Sequence, residues 1–469
     1  MSQIRADELR DVVHLATIVL GGEEYDPVLK ESAYGVLCNI AKLDILSLEE
    51  RWTLYKLLER KLFVSTGYDR FDEAVDDVYD SIYLYVEKQM PEELLTGSVK
   101  VSEESPVIIV TSQILSENHA PTRSVLDYAY TLQTMLDIPV QIINDAGLHY
   151  RQFPYMEGVT VFHFLKVCSE WNAITYKDAL FGFFQVDCLM PDMQEITRVV
   201  CNIKKTNPRL VLNAGGGSLI SDLCRGFTKT ATIPFNTRIP RTMAEFPVIG
   251  RKLREADKTK IERLYPWQHI KEAIFFNYIM PDDSGLQKYT REMFQIPVDA
   301  WLLVSAGNRM AEELDRDFMR MLDELLDELP ECYFLVIGGM DDASILRLTA
   351  GLTHMDRIRF AGDLEDGSQA IRLGNVYIQP TRKGGGRAAF EALYYGVPVI
   401  VTKYGDTWDV CGASFEVESY HEMAGRIKEY YNNREVYEAD RKKSKERADV
   451  LEDMEGMFRS LLQKLKVDF

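Results

Sequence analysis

The chain predicts an α/β protein: two doubly wound parallel-sheet units in tandem, preceded by an all-helical domain. Three observations carry this. Short apolar β runs alternate with helical patterns from residue 107 onward, as expected of parallel strands joined by crossover helices. A polar stretch, MPDDSGLQKYTREMF (280–294), interrupts the alternation, which then restarts. Residues 1 to about 100 show helical spacing and no strand alternation.

The elements follow in order. In FDEAVDDVYDSIYLYVEKQM (71–90), Val75, Val78, Tyr79, Ile82 and Val86 recur three and four residues apart with acids between them. ELRDVVHLATIVL and LSLEERWTLYKLLERKLF have the same character, and His14 on the first is expected in a core or interface. LLTGSVKVSEESP (94–106) reads as a linker. The first sheet is expected from PVIIV, PVQIIND, VTVFHF, RLVLNAGGG, TIPF and EAIFF, with His163 packed inside VTVFHF. AWLLVSAGN, CYFLVIGG, RIRFAG, NVYIQP and VPVIVT supply the second. The boundaries implied are 1–100 for the helical domain, 101–280 and 281–445 for the two sheet units, and 446–469 for a C-terminal helix.

A chain of 469 residues is too long for one hydrophobic core. Its net charge of −19 argues against general nucleic-acid binding, whose affinity comes from neutralising phosphates. The seven cysteines form no CxxC pair and read as reduced core thiols of a cytoplasmic protein. The N-terminus is too charged for a signal peptide, and no apolar run approaches transmembrane length. HExxH, GxSxG, the Walker lysine motif and clustered metal ligands are all missing from the sequence.

TRKGGGRAAFEALYYGVPVIV (381–401) is the most informative stretch, because three glycines lie between a strand pattern and a helix pattern. Glycine is the costliest residue to order, so the run calls for a reason. At the amino end of a helix, Gly384, Gly385 and Gly386 would let phosphate oxygens reach unpaired N–H groups, aided by the helix dipole. Arg382, Lys383 and Arg387 add positive charge there, and Glu391, one turn on, could accept hydrogen bonds from a ribose diol. The alternative is a tight turn, with Glu391 paired to Arg387 as an i,i+4 salt bridge.

GGGRAAFEALYYGVPVIVTKYGD (384–406), SAGNRMAEELDRDFM (305–319), FLVIGG (334–339) and RIRFAGDLED (357–366) together resemble the donor-binding half of GT-B-fold glycosyltransferases, enzymes of two Rossmann-like domains that use nucleotide sugars. The likeness covers about 180 residues well and the first sheet unit more loosely. It implies that Arg309 grips the donor diphosphate, that the glycine loop holds the phosphates and that Glu391 holds the ribose. Gly362, Asp363 and Leu364 would then lie by the nucleobase. Many family 4 members carry two glutamates eight positions apart, but the position eight before Glu391 is Lys383. Retention therefore does not carry over, and the lysine is closer to the inverting, protein-modifying enzymes of family 41.

The acceptor side is expected from the first unit, where TSQILSENHAPTRS (111–124) offers Glu117 and His119 as general bases. The alternative for His119 is a turn or capping residue before Pro121, with Thr122 as a further cap. Gly216, Gly217 and Ser218 of NAGGGSL form a second glycine turn, either lining the cleft near the donor or letting the two domains approach each other. The resemblance thus implies a hexosyltransferase with a nucleotide sugar, UDP-linked on family frequency, as donor and a hydroxyl of a protein or glycan as acceptor. It implies no metal or other cofactor. The N-terminal helices could hold that acceptor or build a homo-oligomer. The rivals are a non-catalytic subunit of the same fold that recognises a protein substrate for a catalytic partner, and a nucleotide-sugar epimerase.

Overall fold

The structure, a computed structural model, describes residues 5–22, 24–116, 119–160, 165–273, 280 and 288–467. It divides into two compact units, Met1–Ile274 with Glu455–Phe469, and Phe275–Met454.

Four long helices open the first unit: Ala6–Gly21, Pro27–Ile40, Leu48–Val64 and Asp72–Gln89. Ser47 and Glu50 close a capping box on the third, the hydroxyl accepting from Glu50 N and the carboxylate from Ser47 N. The stripe expected on the fourth, from Val75 to Val86, is buried as its spacing requires. Pro27–Ile40 is an addition to the sequence reading; Asp26 caps it and Pro27 sits in its first turn.

These helices do not stand apart from the sheet. Tyr34, Trp52, Tyr55 and Tyr79 share one core with Ile108, Val110, Ile143, Leu219 and Leu223. Polar contacts fix the docking: Tyr79 donates to Asp222 over 2.6 Å, and Asp72 receives Arg241, Lys260 and Arg238 at 2.5, 2.9 and 3.1 Å. His14, for which the sequence offered no partner, meets the Tyr155 carbonyl through Nδ1 at 3.2 Å. The expected linker is tied down as well, Val99 N donating to the Phe227 carbonyl.

The first sheet contains β1 Val107–Thr111, β2 Val140–Asn144, β3 Ala173–Tyr176, β4 Ala179–Gln185, β5 Leu210–Ala214, β6 Thr230–Ile233, β7 Phe246–Ile249 and β8 Lys271–Glu272. Their order is β3-β4-β2-β1-β5-β6-β7-β8. All pairs are parallel except the β3–β4 hairpin, and Val107 of β1 registers with both Val140 and Leu210. The hairpin was not foreseen, because β3 is a four-residue edge strand and Gly182 interrupts β4. Of the strands expected at VTVFHF and EAIFF, residues 161–164 (with His163) and 274–276 lie outside the described residues, as do 281–287 of the expected hinge.

The second unit holds β9 Trp301–Ala306, β10 Cys332–Ile337, β11 Ile358–Phe360, β12 Val376–Ile378, β13 Val399–Thr402 and β14 Glu416–Val417. The sheet is wholly parallel in the order β11-β10-β9-β12-β13-β14, the doubly wound arrangement of a dinucleotide-binding sheet. Helix Arg316–Glu328 is capped by Asp315 and buries Phe318, Leu322 and Leu325 against Leu303 and Phe334. Helix Arg434–Leu451 is followed by Met454–Lys464, which from Glu455 onward belongs to the first unit, where Phe458 packs edge-on against Tyr128. No helix among the described residues is long and apolar enough to cross a membrane, and all seven cysteines are free thiols.

Candidate functional site

Strand order in the second sheet reverses between β9 and β12. In open α/β sheets the chain diverges to opposite faces at such a point, leaving a crevice at the carboxyl ends of the strands where ligands bind. Two segments singled out in the sequence emerge there: Gly307–Arg309 after β9, and Thr381–Gly386 after β12. Sequence spacing could not establish this neighbourhood, since some 70 residues separate the two.

Arg309 precedes the short helix Met310–Glu313, and its Nε and Nη2 donate to Glu313 Oε1 at 3.0 and 2.9 Å. Lys383 is buried in the turn after β12, where its carbonyl accepts from Asp406 N at 2.8 Å. The Gly384 carbonyl accepts from Gln379 Nε2 and Thr407 Oγ1 at 2.7 and 3.1 Å. Gly385 then occupies the N-cap of helix Gly386–Tyr394.

Part of the glycine requirement proves to be internal. Gly385 has φ 96°, and a β-carbon there would lie 2.5 Å from both Arg382 Nη2 and Gln379 Nε2. At Gly307 a β-carbon would come 2.3 Å from Arg382 Nη1. The Arg382 guanidinium therefore fills the space beneath both strand-end turns. This corrects the expectation that Arg382 adds charge to an open loop: its side chain is only 3% exposed. It donates to Glu313 Oε2 at 2.5 Å, to the Ala306 carbonyl at 2.7 Å and to Gln379 Oε1 at 3.0 Å. Burial opposes its charge, but Glu313 and Tyr377 together outweigh it and raise its pKa.

Glu391 and Arg387 form the i,i+4 pair at 3.0 Å that the sequence offered as the alternative to a ribose contact. The loop at Gly362–Leu364 is also internally knit: the Gly362 carbonyl accepts from Gly338 N at 3.0 Å, and Asp363 Oδ1 from Gly339 N at 2.7 Å. Gly362 has φ 69°, and Leu364 beside it is half-exposed.

The first sheet reverses between β1 and β5, and Gly216, Gly217 and Ser218 follow β5. Here packing occupies two of the three residues. A β-carbon at Gly217 would come 2.6 Å from the Tyr79 ring, and Ser218 is buried with its hydroxyl on Asp145 at 2.5 Å; Gly216 alone remains exposed. Trp52 reinforces this cover by donating to the Gly147 carbonyl at 3.1 Å. The N-terminal helices thus pack directly onto the turn.

Glu117 lies outside the described residues. His119 takes the N-cap position of helix Ala120–Tyr130 without a side-chain cap bond, and its Nδ1 lies 2.8 Å from Thr122 Oγ1, which also accepts from Leu115 N. Burial pushes its pKa down to about 4, so the ring is neutral at pH 7. In the tautomer with Nδ1–H donating to Thr122, Nε2 carries the lone pair a general base needs. Among the described residues no group of three or more His, Cys, Asp or Glu could hold a metal ion.

Sequence reasoning missed Glu313, Gln379 and Thr407. Only Glu313 left a signal: it stands four residues after Arg309, the spacing of a helical ion pair.

Residues 303–433 match the family described as Glycosyl transferases group 1, and no curated protein matches the chain by sequence. Among solved structures, a mutant O-GlcNAc transferase of Thermobaculum terrenum superposes with TM-score 0.62 at 12% identity, covering 98% of this chain and 84% of that one. A glycosyltransferase from Rickettsia africae gives 0.51 at 13% identity over 77% of this chain and 98% of that one. HepE of Anabaena in complex with UDP and glucose gives 0.52 at 12% identity, over 77% and 99%. The chain therefore has the GT-B fold of these glycosyltransferases, and its second unit carries the group 1 glycosyl transferase sequence pattern.

Proposed function

We propose that this protein is a glycosyltransferase that moves a hexose from a UDP-linked donor to a hydroxyl group of a protein or glycan. One observation carries the reading: Arg309 and the Lys383–Gly386 turn emerge from β9 and β12, the two strands at which the second sheet reverses. Cations and helix amides there suit a diphosphate. The family match over residues 303–433 and the HepE structure with UDP support the same donor chemistry.

In the reaction, the acceptor oxygen bonds to the anomeric carbon as the bond from that carbon to the diphosphate oxygen breaks. The nucleoside diphosphate leaves with the electron pair. Arg309, Lys383 and the amides at Gly384 to Gly386 stabilise the charge as it develops, which lowers the barrier more than binding substrate alone would. His119 or Glu117 takes the acceptor proton, and inversion at the anomeric carbon is the course that suits Lys383 in place of an acid.

The joint presence of Arg309, Lys383 and the Gly384–Gly386 turn at the reversal point of the sheet favours the enzymatic reading over a non-catalytic subunit of the same fold. The test is release of UDP from a panel of UDP-sugars, with and without cell extract as a source of acceptor. UDP release above background supports the proposal. Absence of release together with absence of a thermal shift on adding UDP refutes it.

A further inference from the structure

We propose that Glu313 is a positioning residue for the donor diphosphate, holding Arg309 in place by tying it to the buried Arg382. This rests on the donor reading above. Glu313 Oε1 receives Arg309 Nε and Nη2 at 3.0 and 2.9 Å, while Oε2 receives Arg382 Nη1 at 2.5 Å. The Glu313 and Arg382 side chains are each 3% exposed, whereas Arg309 is 32% exposed. One carboxylate thus joins an accessible guanidinium to one locked inside the unit.

The anchor is rigid for identifiable reasons. Arg382 is held at the Ala306 carbonyl, the last residue of β9, and at Gln379, just after β12. Gln379 carries the restraint onward to the Gly384 carbonyl at 2.7 Å. Tyr377, buried on β12, donates to Gln379 Oε1 at 2.9 Å and fixes the amide's orientation. Gly307 and Gly385 leave the room that the Arg382 guanidinium needs. The turn carrying Arg309 and the turn carrying Lys383 therefore share one buried hydrogen-bond network through Glu313, Arg382 and Gln379.

The functional consequence is preorganisation. An arginine with a free side chain loses rotamer entropy when it closes on a phosphate. A carboxylate that fixes the guanidinium beforehand removes that cost, and a second cation keeps the carboxylate from leaving its place. Glutamine at 313 has the same shape but presents one acceptor oxygen and one donor amide, so it can serve only one of the two guanidiniums.

The experiment measures UDP and UMP binding by calorimetry for the wild type, Glu313→Gln, Arg309→Ala and the double variant, with melting temperatures in parallel. The expected result is that Glu313→Gln weakens UDP about tenfold, the scale of one charge-assisted contact. UMP should change by less than about twofold on the same scale. In the Arg309→Ala background the same substitution should have no further effect on UDP, because its action passes through Arg309. Should Glu313→Gln fail to fold, Glu313→Asp is the replacement, its shorter carboxylate keeping the charge and losing reach to Arg309. Equal losses for UDP and UMP, or an undiminished loss in the Arg309→Ala background, overturn the proposal while leaving the donor reading intact. Failure of the wild type to bind UDP overturns both.

Discussion

The Arg382 guanidinium lies beneath Gly385, 2.5 Å from where a β-carbon on that residue would stand. The glycine at this turn answers first to the protein's own interior and to its φ of 96°, and only then to any ligand above it. Gly385→Ala should accordingly cost more than about 1 kcal/mol of stability, because both the backbone angle and the buried arginine oppose a methyl group. Melting temperature and UDP affinity measured on the same variant separate the two demands. A normal melting temperature with lost affinity would contradict the internal account.

Arg309→Ala and Lys383→Ala should each weaken UDP binding by about 1.5–3 kcal/mol, the range of hydrogen bonds to charged groups. Arg309→Ala should leave the melting temperature near that of the wild type, since its side chain is 32% exposed. Lys383 is buried, so its variant is expected to lose some stability as well. Unchanged UDP affinity in both variants would move the phosphate site elsewhere.

Tyr79→Phe tests the attachment of the N-terminal helices to the first sheet. The hydroxyl is one of three donors to Asp222, with Thr242 Oγ1 at 2.5 Å and Met243 N at 2.8 Å, and burial already pushes the Asp222 carboxyl up to about 6. Removing a donor from a buried acid should cost about 1–3 kcal/mol in urea unfolding. Because Tyr79 and Ile108 belong to one core, deletion of residues 1–100 should leave the remainder insoluble. A soluble, folded truncation would show that the sheet can close its core without these helices.

His119 sets a pH dependence whose sign follows from its burial. Its pKa falls from 6.5 to about 4 in the folded chain, so the unfolded chain takes up the proton first as pH drops. The stability this group contributes is complete above pH 6.5 and is lost as pH falls towards 4. His119→Gln should therefore narrow the gap between urea midpoints measured at pH 4.5 and at pH 7. If His119 is also the general base, the acid limb of kcat/KM lies near pH 4 rather than near 6.5. An unaltered gap in the variant would remove the residue from the account of stability.

What the sequence determined by itself was everything set by local pattern. Strand runs such as WLLVSA and VIIVT came with their β-branched and aliphatic character, helices such as Arg316–Glu328 with their spacing, and the strand–glycine–helix order at 376–394 with its composition. These signals lie within a few residues of one another, so short-range sterics and periodicity suffice to read them. The likeness to GT-B enzymes rested on the same local stretches. Tertiary structure alone decided what each residue faces. Arg382 and Lys383 are neighbours in sequence and both basic, yet the guanidinium of Arg382 turned inward because Glu313, 69 residues earlier, offers a buried carboxylate. What Gly217 and Ser218 face was likewise set by Tyr79 and Asp145, which arrive from other elements. Charge and hydrogen-bonding capacity are written in the residue type, but which partner satisfies them depends on the register and crossing of elements far apart in the chain.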